Sequence, residues 1–358
     1  MTRGGGKEVG GRIAAGRDAL AEAITALHYE RQPELVSRYG PAGREKCLQD
    51  ARYHLSYLAE AVGAESPALF ADYIGWAKVM LSSRGIPAED LARNVEYMRE
   101  ALRLNLSPEE AGVVEEYLDA GLERLPRTPP ELPAFLEESA PHTELARDYL
   151  ALLLRGERHA AGRLVLDAVE AGADVKGIYL HVFQRAQREV GRLWQMNRIN
   201  VAQEHYCTAA TQLIMSQLYP RIFRTERRGR RMVATSVAGE LHEIGLRMVA
   251  DFFEMEGWDT YYLGANTPTP SLLQAAAERR ADVLAVSATM TFHLRALEEL
   301  ITAARAAEGL RDVKIMVGGY PFDLEPELWR RVGADLYAAD AQQAVEAADR
   351  ACDGRGFE

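Results

Sequence analysis

Only three cysteines, Cys47, Cys207 and Cys352, occur in 358 residues, and they form no C-x-x-C pair and no even framework. Structural disulfides and a thiolate zinc site are therefore not expected, and a reducing cytoplasm is the simpler setting. Long apolar runs are missing as well. Nowhere do eighteen apolar residues follow one another, so no membrane span is expected. The polar, glycine-rich start, Met1 to Lys7, has no apolar stretch behind it and does not read as a targeting segment; residues 1–12 are expected to form a loose tail. An excess of basic charge is also lacking. The chain has 42 basic and 53 acidic residues, a net charge of −11, which argues against a nucleic-acid-coating protein. What is present is ordinary for a globular protein: 47% hydrophobic and 27% charged residues exclude disorder throughout. At roughly 150 residues per domain the length suggests two or three domains.

The apolar pattern divides the chain into three blocks. Residues 13–125 read as helix after helix, with segments at 16–30, 43–62, 66–83, 87–104 and 107–124, punctuated at Gly40-Pro41, Gly63, Gly85 to Pro87 and Ser107-Pro108. Leu48, Ala51, Leu55 and Leu58 recur at helical spacing. Ser107 followed by Pro108 and Glu110 has the spacing of a capping box. Four prolines between Leu125 and Pro133 cannot continue a helix, so residues 126–139 are a linker. Residues 140–224 give segments near 142–155, 157–171, 174–195 and 200–223, the lengths of a four-helix bundle. Residues 225–231 form a basic, solvated linker. The period then shortens. Strands at 232–237, 259–263, 283–287, 314–317 and 334–337 alternate with helices at 241–256, 270–279, 292–307, 325–331 and 341–352. That alternation predicts a doubly wound parallel sheet over residues 232–358. The fold class is thus α plus α/β: an all-helical N-terminal domain, a helical bundle and a Rossmann-like domain.

Ligands of an open parallel sheet bind beyond the carboxyl ends of its strands. The expected loops there hold Glu240-Leu241-His242-Glu243-Ile244-Gly245 after the first strand, Ser287-Ala288-Thr289 after the third and Gly318-Gly319 after the fourth. This series resembles the signature of cobalamin-binding domains, (Asp/Glu)-x-His-x-x-Gly, then Ser-x-(Leu/Thr), then Gly-Gly. The spacings agree, with 41 residues between Gly245 and Ser287 and 28 between Thr289 and Gly318. The resemblance implies that His242 is the lower axial ligand of cobalt, a role that suits a neutral imidazole. It implies that Glu240 takes the proton of the other ring nitrogen and fixes the tautomer. Gly245 would leave room for the displaced nucleotide tail, Ser287 and Thr289 would border it, and Gly318 and Gly319 would let backbone approach it. Glu243 is expected to be solvated.

A cobalamin domain alone does not name a function. Upstream, Trp194 is followed after nine residues by Glu204-His205. This W-x9-E-H string resembles the upper-face motif of light-sensing adenosylcobalamin proteins, in which a bundle caps the ring. The resemblance implies that Trp194 packs on the adenosyl group with Glu204 and His205 beside it; a plain bundle-core tryptophan is the bland alternative. Gln195 stands where some of those sensors have a histidine, which puts a second histidine ligand at that position in doubt. The basic DNA-binding domain of the light-sensing repressors is not apparent, so direct DNA binding is not expected. Nor is an enzymatic activity.

In residues 13–125 an aromatic set, Tyr53, His54, Tyr57, Phe70, Tyr73 and Trp76, stands at helical spacing. The layout resembles that of the photocobilin family, which pairs a cobalamin domain with a globin-like helical domain holding a bilin without a covalent bond. The resemblance implies a biliverdin pocket lined by Tyr53, His54, Tyr57 and Trp76, with Arg44 or Arg52 pairing its propionates. An ordinary aromatic core or a dimer surface is the other reading. His293 would touch a corrin side amide or simply face solvent. The expectation is a cobalamin photoreceptor, cytoplasmic, homo-oligomeric and acting on a signalling partner. The alternative from another class is the corrinoid carrier subunit of a methyltransferase.

Overall fold

Leu55 and Leu58, two of the periodic leucines, are fully buried, and Ala51 is buried beside them. In the computed structural model, which describes residues 5–136 and 140–353, they line the inner face of a long helix. The structure consists of two compact units. The first holds residues up to 130 together with 289–299 and 320–332, and the second holds residues 131–288, 300–319 and 333–353.

Six helices build most of the first unit: α1 (Gly5–Ala15), α2 (Arg17–Arg31), α3 (Glu34–Gly63), α4 (Pro67–Ser82), α5 (Ala88–Asn105) and α6 (Pro108–Arg127). Ile13, Ile24, Leu55, Phe70, Ile74 and Val95 close its core with no exposure. Ser107 Oγ accepts from the Glu110 amide at 3.3 Å while the Glu110 carboxylate accepts from the Ser107 amide at 2.9 Å, which completes the expected capping box. Gly40, at φ 64°, kinks α3 just before Pro41.

The start of the chain differs from expectation. Residues 5–12 belong to α1 rather than to a loose tail, and residues 1–4 lie outside the described residues. The reason is close packing. A Cβ on Gly10 would stand 2.4 Å from the Ala59 carbonyl, and one on Gly6 2.6 Å from that of Val62. These glycines let α1 lie directly on α3, a gain that offsets their poor helix propensity. Helix α6 likewise runs to Arg127, past the first proline of the expected linker; residues 137–139 of that linker are outside the described residues.

In the second unit α7 (Thr143–Leu154), α8 (Arg158–Glu170), a third helix and α11 (Val201–Gln217) make the bundle, followed by the short α12 (Tyr219–Ile222). The third helix is composite: α9 (Val175–Ile178), capped by Asp174, a π-helical turn at Tyr179–Phe183, then α10 (Gln184–Gln195). The sheet has strands β1 (Arg231–Ser236), β2 (Asp259–Gly264), β3 (Val283–Ser287), β4 (Lys314–Gly318) and β5 (Leu336–Tyr337), all parallel, in the order β2-β1-β3-β4-β5. Helices α13 (Ile244–Met255) and α18 (Ala341–Asp353) pack against each other, and α14 (Thr269–Arg279) meets β1. One apolar core runs from Tyr149, Phe183 and Ile214 of the bundle through Phe252 of α13 to Val283 and Met316 of the sheet. The order in which successive strands join the sheet reverses between β1 and β3. That is the switch point at which open α/β sheets take their ligands.

Between β3 and β4 lies α15 (Leu294–Ala306), and α16 (Tyr320–Leu324) and α17 (Leu328–Arg331) follow β4.

Candidate cobalamin site

β1 is buried along nearly its whole length and delivers the chain to the switch point. In the parallel register Ser236 pairs with Ser287, and Ser287 with Gly318, so the three expected motif segments leave the sheet side by side. Three further bonds shape the loop after β1. The Val237 amide donates to the Ser287 carbonyl at 3.0 Å. Ser236 Oγ donates to the His242 carbonyl at 2.9 Å, and the amide of Gly239, at φ 87°, donates to Asn266 Oδ1 at 2.7 Å.

That loop holds Glu240 almost fully buried, with its Oε1 accepting twice from the same residue: the His242 amide at 2.9 Å and the His242 Nδ1 at 2.6 Å. The hydrogen bond to Glu240 is the main influence raising the His242 pKa; desolvation opposes it, and the negative charges of Glu240 and of Glu204 reinforce it. With Nδ1 as donor, the Nε2 lone pair is the one left for a ligand, on a side chain that is 61% exposed. Helix α13 begins only at Ile244, not near Leu241 as the sequence pattern suggests, so His242 stands on a short loop ahead of the helix.

The surroundings suit a flat ring carrying a tail. Leu241 is 73% exposed, leaving apolar surface beside the imidazole. A Cβ on Gly245 would meet nothing within 4 Å, and one on Gly318 would approach only the Ala338 carbonyl, at 3.7 Å. Gly319, at φ 114°, adopts a backbone that other residues rarely take. Thr289 lies in the segment that belongs to the first unit.

The upper-face candidates lie around one turn. Trp194 lies in the last turn of α10, partly buried against the bundle core; Asn197, at φ 56°, follows the helix end; and Asn200 caps α11 in a capping box with Gln203. Glu204 therefore occupies the first turn of α11. One of its oxygens takes His205 Nδ1 at 2.5 Å, the other takes Thr208 Oγ1 at 3.1 Å. Helix α11 meets the loop after β1 through Gln212, whose amide donates to Glu243 at 2.7 Å.

Glu243 departs from expectation. Instead of being solvated it accepts from Gln212 of α11 at 2.7 Å and from the Tyr262 hydroxyl at 3.1 Å. Sequence reading overlooked Gln212, although Glu204, Thr208 and Gln212 recur every fourth residue and so share one face of α11. It also overlooked a buried contact deeper down. Tyr179, in the π-helical turn, donates to Asp251 at 2.7 Å, and burial pushes the Asp251 carboxyl up to about 6.

In the first unit the expected bilin residues separate. His54 and Tyr57 are buried: His54 Nδ1 is 2.7 Å from the Tyr73 hydroxyl, and Tyr57 stacks on Tyr73 at 3.6 Å between centroids. Trp76 continues that stack at 6.3 Å from Tyr73. Tyr53 and Arg52 instead line an open cleft of about 420 Å³ with Arg17, Glu45, Gln49 and Ser56, and Arg52 pairs with Asp18 at 3.0 Å. Arg44 lies over the ring of Tyr29. The structure thus places three of the six, His54, Tyr57 and Trp76, on a packed aromatic face and two, Tyr53 and Arg52, in a cleft, with Arg44 apart from both. His293 closes a 3-10 turn, Thr291–His293, in the first unit.

Comparison with known proteins decides the family. Residues 230–348 match the model of the B12 binding domain, and residues 145–219 match a second model with the same description. A dimethylamine corrinoid protein 3 of Methanosarcina mazei is 34% identical over 116 residues, which cover 32% of this chain and 67% of that protein. The chain belongs to the B12-binding family. Cobalamin is the cofactor of this B12-binding protein, and Glu240, His242, Gly245, Ser287, Gly318 and Gly319 all lie within the residues that match the B12 binding domain. The dimethylamine corrinoid protein of Methanosarcina barkeri is 35% identical over 32% of this chain, so the chain spans about half the length of that relative, 53%. A trimethylamine corrinoid protein 1 of Methanosarcina mazei is 25% identical over 52% of this chain and 86% of its own. The solved Methanosarcina barkeri monomethylamine corrinoid protein shares the fold, with a TM-score of 0.52 over 58% of this chain and 98% of that one, at 22% identity. Residues 10–125 of the B12-binding chain match the model of the phycobilisome protein. By name the curated relatives support the corrinoid-carrier expectation better than the light sensor.

Proposed function

We propose that this B12-binding protein is a light sensor, neither enzyme nor DNA-binding protein, whose bundle signals to a partner protein or a second copy of the chain. The observation that carries the reading is the helical unit. Its match to the phycobilisome protein model covers residues 10–125, apart from the region that matches the B12 binding domain. Adenosylcobalamin, when bound, supplies a cobalt–carbon bond that visible light breaks. The chain's own part is to hold and to report. Glu240 keeps His242 in one tautomer, while Trp194, Glu204 and His205 would form the wall against the adenosyl group. Gln212 and Glu243 join that wall to the ligand loop. A change in what Trp194 packs against is therefore passed to α11 and the bundle, because packed interfaces switch between discrete arrangements. The phycobilisome match also supports a bilin such as biliverdin as a second chromophore, with Tyr53 and Arg52 in the open cleft as its contacts.

The test is an absorption spectrum of the full chain, loaded with adenosylcobalamin in the dark, before and after green light. A lasting change that is abolished in Trp194→Ala supports sensing. Loading with biliverdin should add a long-wavelength band, and a colourless protein removes the bilin. The second reading, a corrinoid carrier that meets a methyltransferase, is favoured by the names of the relatives. No light response, together with methyl transfer from a methylamine methyltransferase, would establish it instead.

A further inference from the structure

The two loops that leave β3 and β4 end up in the first unit, and α3 and α4 hold both. After Ser287 the chain reaches Phe292, whose ring meets Tyr57 of α3 edge-on at 5.3 Å. Three residues later the Arg295 amide donates to Glu60 Oε2 at 2.9 Å, and Lys7 pairs with Glu298 at 2.9 Å. After Gly318 and Gly319 comes Tyr320, whose hydroxyl donates to Asp72 of α4 at 3.0 Å. Ser66 Oγ donates to Glu325 at 2.7 Å, and Arg331 joins Glu325 at 3.3 Å and the Glu65 carbonyl at 3.1 Å. Tyr57 is itself stacked on Tyr73, so the α3 and α4 contacts form one cluster. Each segment is therefore anchored at two or more points, the nearest being Phe292, five residues after Ser287, and Tyr320, two after Gly318.

We propose that α3 and α4 fix the segments that directly follow Ser287 and Gly319, and through them the chain that borders the cobalamin nucleotide tail, with Tyr57, Glu60 and Asp72 as positioning residues acting through Phe292, Arg295 and Tyr320. The inference rests on the tail assignment of Ser287, Gly318 and Gly319, not on light sensing. Its physical basis is linkage. If anchoring the loops favours the tail, binding of the tail must in turn favour the anchors, by the same factor. The helical unit then senses whether cobalamin is bound, and changes within that unit alter how tightly the tail is held.

Two measurements on the full chain, both in the dark, test this. The double variant Asp72→Asn/Tyr320→Phe removes a charge and a donor without changing shape. It should bind hydroxocobalamin about tenfold more weakly, with far-UV circular dichroism unchanged; affinity equal to wild type overturns the proposal. In wild type, adding hydroxocobalamin should slow amide hydrogen exchange in peptides spanning residues 54–76, and the double variant should lose that protection. Exchange in 54–76 that ignores hydroxocobalamin in wild type also overturns it, whatever the variant's affinity, because a merely structural role would weaken binding without reciprocal protection.

Discussion

The second unit holds two glutamate–histidine pairs. Glu240 meets His242 Nδ1 at 2.6 Å, and Glu204 meets His205 Nδ1 at 2.5 Å. Their surroundings differ. The Glu240 side chain is 1% exposed and that of Glu204 is 29% exposed. Glu240 is gripped by the His242 amide as well as the ring, on a loop tied to β3 and to Asn266. Glu204 is steadied by Thr208 on its own helix, and His205 is 75% exposed. A hydrogen bond of similar length thus does two jobs. In low dielectric, with every partner fixed, it sets one imidazole tautomer; in the first turn of a helix, in contact with solvent, it is open to competition from water.

Substitutions should separate the two pairs, beginning with the lower histidine. His242→Ala removes the imidazole and should abolish the histidine-ligated spectrum, with cobalamin affinity down more than about 100-fold; an unaltered spectrum would refute the ligand assignment. Glu240→Gln keeps the shape but not the charge, and by the usual cost of an outer-shell partner should weaken cobalamin binding about 10- to 100-fold, read by titration. If Glu204→Gln weakened binding as much, the contrast drawn above would fail.

Another buried carboxylate, Asp251, sharpens the comparison because its hydrogen-bond donor is a neutral tyrosine. Its folded pKa of about 6 lies above the ordinary value of 3.8. Between those values the native state keeps a proton that the unfolded chain has released. The stabilisation is full below about pH 4 and is lost as pH rises through 6, a change on the order of 2–3 kcal/mol. Asp251→Asn should remove that slope, seen as a flatter dependence of the thermal midpoint on pH; a slope identical to wild type would show that Asp251 does not carry it. Smallest of all, His205→Ala should leave thermal stability within about 0.5 kcal/mol and cobalamin affinity within about threefold, since it removes an exposed side chain. A larger loss of affinity in the dark would make His205 a ligand contact rather than part of a movable wall.

Much of this was legible beforehand. The shift from helical to strand period at Met232, and the order of Glu240-x-His242, Ser287 and Gly318-Gly319, locate the sheet and its binding loops, because strand alternation and loop position follow from local pattern. The helical start at Gly5 was not legible. Glycine normally disfavours a helix, and only the carbonyls of Ala59 and Val62 show why it is needed there. Nor could Glu243 be told from a solvated glutamate, since its partners Gln212 and Tyr262 lie on other elements.

The sequence by itself determined which residues can ligate cobalt and in what order they meet the ends of the strands, because those depend on side-chain chemistry and spacing along one chain. Only the tertiary structure decided that Glu240 is buried while Glu204 is not, that Tyr53 of α3 is exposed while His54 beside it is buried, and that the segments after β3 and β4 are anchored by α3 and α4. Burial and anchoring depend on what distant segments bring to a position, and no local pattern encodes that.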